Sequence, residues 1–175
     1  YVVGNNAENE GAIKIGEGSV AMRTEGGTLY NYATGTIDST GTKALGMSQS
    51  TGGNITNDGT ITLTGDQSIG IHSENKTLAV HTVTNTGTIT VGDSVSATTP
   101  SIGIYSANGL NSTILSSGTV SAGTRSIGIY GKNVNLTGIS TTTAGDGAIG
   151  VYSDEGTVKI DNGAKISVGS TLGKN

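Results

Sequence analysis

Val83-Thr84-Asn85-Thr86-Gly87-Thr88-Ile89 is the clearest copy of a phrase, apolar-x-Asn-x-Gly-Thr-apolar, that recurs along the whole chain. Intact or blurred copies occupy residues 9–13, 29–37, 55–61, 114–120 and 160–166. Repetition with a period of about 20 to 50 residues indicates a solenoid, in which each repeat packs on its two neighbours.

A second phrase, Ser-Ile-Gly-Ile-Tyr, follows most copies of the first phrase. It occupies residues 68–72, 101–105 and 126–130, with a close relative at 148–152 and weaker ones at 19–23 and 44–48. Thr171-Leu172-Gly173 begins a seventh copy. Successive copies are usually about 22 to 25 residues apart, and only the interval from Ser68 to Ser101 is longer, because residues 92–100 add a loop.

Composition and spacing together predict an all-β chain. It has 30 glycines among 175 residues, too many for helix interiors, and its apolar residues show no helical period. Each period holds three short alternating segments, and such strands bury their side chains only when they stack on the next coil. We therefore predict a right-handed three-faced parallel β-helix of about seven coils. The repeat reaches both termini without a polar cap, so residues 1–175 are expected to be one segment of a larger solenoid.

The repeat also predicts which side chains face the interior. Ile61, Ile89 and Val120 should form one inward stack, and Ile69, Ile102 and Ile127 a second. If residues on both sides of the glycine in the second phrase point inward, the glycine position points outward. This predicts a flat outward strip, formed by Ala21, Gly46, Gly70, Gly103, Gly128 and Gly150.

One corner of each coil is expected to carry an asparagine. Asn31, Asn57, Asn85 and Asn162 share a place in the first phrase, and asparagine tolerates left-handed turn geometry. Its amide also binds the same amide one coil away, so we predict an asparagine ladder. The glycines that follow are expected to be turn residues: Gly11, Gly35, Gly59, Gly87, Gly118 and Gly163.

The candidate binding residues lie beside the expected strip. His72, Tyr105, Tyr130 and Tyr152 should stack as an exposed ladder that continues the column of Arg23 and Ser48. Such a wall could hold a sugar ring or a partner protein, or could only stabilise adjacent coils through aromatic pairing. The loop Gly92–Pro100 adds Asp93 and Pro100 as further candidates, because loops on rigid scaffolds often carry binding sites.

Threonine pairs form another outward pattern, seen in Thr60/Thr62/Thr64, Thr88/Thr90 and Thr119/Ser121. Regular threonine rows could order water, as in ice-binding proteins, although ordinary strand propensity explains them better. Ice binding requires that the rows lie on one flat face.

The sequence shows little that could support catalysis. His81 has no carboxylate or serine at a meaningful spacing, and the acidic residues are scattered singly. A polysaccharide-degrading β-helix would need several converging carboxylates. We therefore expect no enzyme, no metal and no cofactor. Nine Lys and Arg residues against 13 Asp and Glu residues, without a basic cluster, argue against nucleic acid as a partner.

The stretches Asn85 to Tyr105 and Gly118 to Tyr130 resemble repeats of large type V autotransporter passengers, most closely fusobacterial outer-membrane adhesins. The resemblance covers nearly the whole chain. It implies a monomeric rod at the bacterial cell surface, anchored to the outer membrane through a C-terminal barrel absent here, or secreted. It also implies adhesion to a host receptor protein or glycan, or to other bacteria. Within that picture the segment is either the contact surface or a passive spacer, and the rival function is that of a secreted polysaccharide-degrading enzyme.

Overall fold

The computed structural model describes residues 2–74, 76, 80–108 and 111–169, so Thr171-Leu172-Gly173 lies outside the described residues. Sheet 1 consists of β1 (Val2–Val3), β4 (Val20–Glu25), β7 (Leu45–Gln49), β10 (Ile69–Glu74), β13 (Ile102–Asn108), β16 (Ile127–Gly131) and β19 (Ile149–Ser153). Sheet 2 consists of β2 (Ala7–Asn9), β5 (Leu29–Asn31), β8 (Ile55–Asn57), β11 (His81–Asn85), β14 (Ser112–Ser116), β17 (Asn133–Leu136) and β20 (Val158–Ile160). Sheet 3 consists of β3 (Ala12–Lys14), β6 (Thr36–Ser39), β9 (Thr60–Leu63), β12 (Thr88–Val91), β15 (Thr119–Ala122), β18 (Thr141–Ala144) and β21 (Lys165–Val168).

The chain visits the three sheets in turn, and each strand pairs in parallel with its counterpart one coil away. The register follows the repeated phrases: Ile61 lies beside Ile89, and Ile89 lies beside Val120. Strands this short cannot bury apolar side chains alone, but a ladder of equivalent strands excludes water from the interior of the coil. The predicted all-β, three-faced parallel solenoid is confirmed.

Each sheet contributes one main row of buried aliphatic side chains to a single core. The rows are Met22, Met47, Ile71, Ile104 and Ile129 from sheet 1; Leu29, Ile55, Val83, Ile114 and Val134 from sheet 2; and Ile37, Ile61, Ile89 and Val120 from sheet 3. Burying one such side chain contributes about 1.5 to 3 kcal/mol. The predicted inward stack of Ile61, Ile89 and Val120 is confirmed.

The second predicted stack, Ile69, Ile102 and Ile127, is wrong. Ile69 and Ile127 are partly exposed, and the buried residue of each of these strands is the isoleucine two positions later. The paired residues form what we name the aliphatic column: Val20, Leu45, Ile69, Ile102, Ile127 and Ile149. Ile102 is buried although it does not belong to the core cluster, and the other five are partly exposed or exposed. Simple alternation fails here because two consecutive positions, the glycine and the following isoleucine, both face the interior.

The glycines of the second phrase explain this exception. A Cβ on Gly70 would lie 2.6 Å from the carbonyl oxygen of Gly103 and 2.6 Å from Cγ2 of Ile89, a buried side chain of sheet 3. Gly46, Gly103 and Gly128 meet the same two kinds of neighbour, and Ala21 packs against the core. The predicted outward glycine strip is therefore wrong: these residues let sheet 1 lie against the side chains of sheet 3.

An asparagine ladder runs through the interior at the ends of the sheet 2 strands. The Nδ2 atoms of Asn9, Asn31 and Asn57 each donate to Oδ1 of the asparagine one coil further on, at 2.8 Å, and Asn85 donates to Ser116 Oγ at 3.5 Å. The ladder is confirmed for Asn31, Asn57 and Asn85, although the left-handed geometry expected of them is not found.

Asn162 does not belong to this ladder, contrary to the prediction. Val158 and Ile160 pair with Val134 and Leu136, so apolar residues occupy the ladder position in the last two coils. Asn162 lies two residues beyond that position, in an exposed turn.

The glycines of the first phrase lie at the corner between sheets 2 and 3, as predicted for turn residues, but most of them do not adopt left-handed backbone geometry. Only Gly163 has a positive φ, of 100°. Position 87 requires glycine because the backbone of the neighbouring coil lies close to it: a Cβ there would be 2.1 Å from the carbonyl oxygen of Gly59. Left-handed residues occur instead at the corner between sheets 3 and 1, at Lys43, Gln67 and Arg125.

Candidate functional site

The four rings predicted from the second phrase form one continuous ladder on the outer face of sheet 1. His72 pairs with Tyr105, Tyr105 with Tyr130, and Tyr130 with Tyr152. The ring centroids are 5.1, 5.1 and 4.8 Å apart; the first pair is stacked and the other two meet edge to face. These distances follow the strand spacing, and both geometries suit the quadrupole of the rings. We call these four residues the ring ladder.

The aliphatic column runs alongside the ring ladder on the same face. In β10 the two columns are represented by Ile69 and His72, with the inward Gly70 and Ile71 between them. Exposure is greatest at the last coil, where Ile149 and Tyr152 are each 44% exposed. Sheet 1 therefore presents two neighbouring outward columns, one aliphatic and one aromatic. Strict alternation through the glycine would place these aliphatic residues inside, so the repeat pattern alone does not reveal the aliphatic column.

Two oppositely charged pairs, Glu74 with Lys76 and Arg23 with Glu25, lie on the His72 side of the ring ladder. His72 Nε2 lies 3.8 Å from Glu74 Oε1, whose other oxygen lies 3.2 Å from Lys76 Nζ. Arg23 Nη2 lies 3.8 Å from Glu25 Oε1, two coils before His72. These pairs contribute little to stability, and the three tyrosines lie beyond them, on the side of the Asp154 carboxylate.

Three of the rings, those of His72, Tyr105 and Tyr130, are held in their uncharged forms near neutral pH. Burial lowers the pKa of His72 below 6.5, and this effect exceeds the opposing influence of Glu74. Burial, with the nearby Asp154 carboxylate as a further cause, raises the pKa of Tyr105 and Tyr130 above 10.0. The Tyr130 hydroxyl also donates to Asp154 Oδ2 at 3.5 Å. The ladder thus offers neutral aromatic surfaces with phenol groups at the margin.

The structure does not bring Asp93 and Pro100 into the ladder. Asp93 follows β12 and Pro100 precedes β13, so both lie at the corner between sheets 3 and 1. Asp93 Oδ1 accepts a hydrogen bond from the Thr124 backbone N–H at 2.6 Å, and Arg125 donates to the Ser94 carbonyl oxygen at 3.2 Å. These contacts tie the inserted loop to the next coil.

A family model identifies the domain. The model of the BigA third pectate lyase-like domain matches residues 2–137 of this chain, more than three quarters of its length. The chain belongs to this family. The matched part of the BigA third pectate lyase-like domain contains β1 to β17, and with them His72, Tyr105 and Tyr130. No curated protein and no solved structure matches the chain.

Acidic and histidine side chains do not cluster in the described part of this BigA-type domain. Nowhere among residues 2–74, 76, 80–108 and 111–169 do three His, Asp or Glu side chains lie in an arrangement that could hold a metal ion. In the same ranges, no helix is long and apolar enough to cross a membrane.

One polar cluster of the BigA-type domain escaped the sequence analysis. His81 is buried, and its Nε2 lies 3.4 Å from Oγ of both Ser106 and Ser112, which are hydrogen-bonded to each other. The statement that His81 has no serine partner is therefore wrong. The two serines lie 25 and 31 residues away, one coil further on, and the inserted residues between the strands conceal that register. Among the described residues His81 Nδ1 has no hydrogen-bond partner, so no carboxylate there holds the imidazole as in a catalytic triad.

His81 should make the fold sensitive to mild acid. Burial lowers its folded-state pKa, so the unfolded chain takes up a proton first as the pH falls through about 6.5. Neutral His81 makes its full contribution to the free energy of unfolding above that pH. The contribution is lost as the pH falls from 6.5 to the lower pKa that His81 has in the folded state. We expect the free energy of unfolding to decrease from pH 7.5 to pH 5.5 in urea titrations followed by circular dichroism.

A His72→Tyr background isolates this effect, because His72 also has a lowered pKa and titrates in the same window. In that background His81→Asn should flatten the pH dependence between 7.5 and 5.5. An unchanged slope in the double variant would show that the acid sensitivity arises elsewhere.

Proposed function

We propose that this chain is a surface-exposed adhesin segment whose ring ladder contacts a receptor protein or glycan on host cells or other bacteria. Membership of the BigA third pectate lyase-like family supports a surface or secreted bacterial protein. The resemblance to autotransporter passengers supports a mode of attachment in which a barrel outside this chain anchors the rod to the outer membrane.

The ring ladder carries the proposal. Its three tyrosines and His72 lie in register over four coils, beside the aliphatic column. Aromatic side chains provide large apolar contact areas, and rings held by a rigid sheet lose little conformational entropy on binding. Such a face suits an uncharged sugar or an apolar protein patch.

A polysaccharide-degrading enzyme is the rival function. That chemistry requires carboxylates that converge on the sugar. Around the ring ladder, Glu74 is paired with His72 and Lys76, while Asp154 accepts the Tyr130 hydroxyl. These arrangements favour contact over bond cleavage.

Binding to a panel of host glycans and purified cell-surface receptors tests the proposal. Tyr105→Ala/Tyr130→Ala/Tyr152→Ala should abolish binding, whereas the corresponding triple phenylalanine variant should retain most of it because the rings remain. Tyr30→Ala/Tyr32→Ala is the matched control, since these rings contact each other on sheet 2, with centroids 4.1 Å apart.

Circular dichroism must show the wild-type fold in each variant. Equal binding by the triple alanine variant and the wild type would assign the ladder to coil stabilisation alone. Absence of binding across the whole panel would overturn the proposal in favour of a spacer.

A further inference from the structure

The threonine pairs of the sequence lie together on the outer face of sheet 3. Ladder pairing aligns Thr36, Thr60, Thr88, Thr119 and Thr141 in one column. Two residues further along each strand, a second column consists of Asp38, Thr62, Thr90, Ser121 and Thr143. We call these two columns the threonine face. The threonine rows therefore share one sheet, and a cavity lined by Lys14, Asp38 and Thr62 lies at one end of the face.

The face is a regular lattice of hydroxyl and methyl groups. Adjacent coils are about 4.8 Å apart, and residues i and i+2 of a strand are about 6.6 Å apart. Residues between the columns, including Ile61, Ile89 and Val120, are fully buried and hold the strands from behind. Threonine is also stiff about its first side-chain torsion, so its two branches keep defined directions.

Most hydroxyls in the centre of the lattice remain available for an outside partner. Thr143 donates to Ser121 Oγ at 3.1 Å at one end of the face. The hydroxyls of Thr60, Thr62, Thr88, Thr90 and Thr119 form no hydrogen bond with the described residues. These side chains are half-buried to exposed, and water is their natural partner.

The charged and aromatic side chains in and around the two columns limit the kind of partner that the threonine face can bind. From β9 to β18 the two columns contain no charged side chain; Asp38 lies at one end, and Lys165 follows at the other. An uncharged periodic surface is therefore the complementary partner. Sugar polymers favour aromatic platforms, but the columns contain no ring, and the ring ladder lies on sheet 1.

We propose that the threonine face binds ice, by holding a layer of ordered water in register with its hydroxyl and methyl groups. The methyl groups limit the ways in which water can orient at the face, and the hydroxyls hydrogen-bond the ordered molecules. Because the face belongs to sheet 3, this activity is independent of the ring ladder.

Ice recrystallisation and partition of the protein into a growing ice hemisphere test the proposal. The wild-type chain should slow crystal growth and enter the ice, compared with bovine serum albumin at the same concentration. Thr88→Lys/Thr119→Lys places two charges in the centre of the face and should abolish both effects. Thr84→Lys is the matched control, because Thr84 is an outward, half-buried threonine of sheet 2.

A milder variant, Thr88→Ala/Thr119→Ala, should also reduce the activity while preserving the fold, as checked by circular dichroism. The triple tyrosine variant should keep full ice activity even where adhesion is lost. Wild-type behaviour equal to that of albumin, or equal losses in Thr84→Lys and in the face variants, would overturn the proposal.

Discussion

Replacing Gly103 with alanine is expected to lower the free energy of unfolding by about 3 kcal/mol. The new Cβ would lie 2.5 Å from the carbonyl oxygen of Gly128 and 2.6 Å from Cγ1 of Val120. The first neighbour is backbone that is fixed in the next coil, and the second is a fully buried side chain, so neither can move without disturbing the solenoid. Urea unfolding followed by circular dichroism measures the loss.

Gly16→Ala is the control for this prediction. A Cβ at Gly16 would meet nothing within 4 Å, and its φ is not in the left-handed region. Alanine there should leave the stability within about 0.5 kcal/mol of the wild type, or raise it slightly through the entropy of the unfolded chain. Similar values for the two variants would show that the interior of sheet 1 has room for a methyl group.

The glycine column also shows where sequence reasoning succeeds and where it fails. The period of the repeats predicted which strands pair, because each phrase must lie on its next copy to bury its apolar residues. The direction of each side chain depends on local backbone alternation, which fails at Gly70 and its equivalents. Ile69 was consequently placed inside, although it belongs to the outward aliphatic column.

One part of the candidate site could be predicted from the sequence, because it depends only on the register of the second phrase from coil to coil. Tyr105, Tyr130 and Tyr152 each directly follow an inward residue of sheet 1, so their outward stacking follows from the repeat. The His81 cluster depends instead on how the inserted residues before and after it are accommodated. Two serines separated from it by 25 and 31 residues carry no recognisable spacing in the sequence.

Residues inside the solenoid and residues on its surface have different roles. Inward glycine, asparagine and aliphatic rows determine the register of the coils, because each has to match its neighbour above and below. The outward columns are not restricted in this way, and they differ between sheets: rings with aliphatic side chains on sheet 1, threonines on sheet 3. This division explains how one rigid rod can present chemically distinct faces.

Asn57→Ala should destabilise the chain nearly as much as the glycine substitution, by about 3 kcal/mol. Asn57 Oδ1 accepts from Asn31 Nδ2, and Asn57 Nδ2 donates to Asn85 Oδ1, both at 2.8 Å in the buried interior. Alanine removes both bonds and leaves a donor on Asn31 and an acceptor on Asn85 without their partners. A buried polar group that loses its partner costs about 1 to 3 kcal/mol, so the two costs together exceed that of a simple cavity.

Asn162→Ala separates this effect from the general cost of removing an asparagine. Asn162 is exposed and lies outside the ladder, so its replacement should change the free energy of unfolding by less than about 0.5 kcal/mol. Hydrogen exchange on the Asn57→Ala variant should show the loss of protection centred on β5, β8 and β11, whose ends the ladder joins. If Asn57→Ala instead proves as mild as Asn162→Ala, water must replace the amide at no cost, and the ladder does not determine the register of sheet 2.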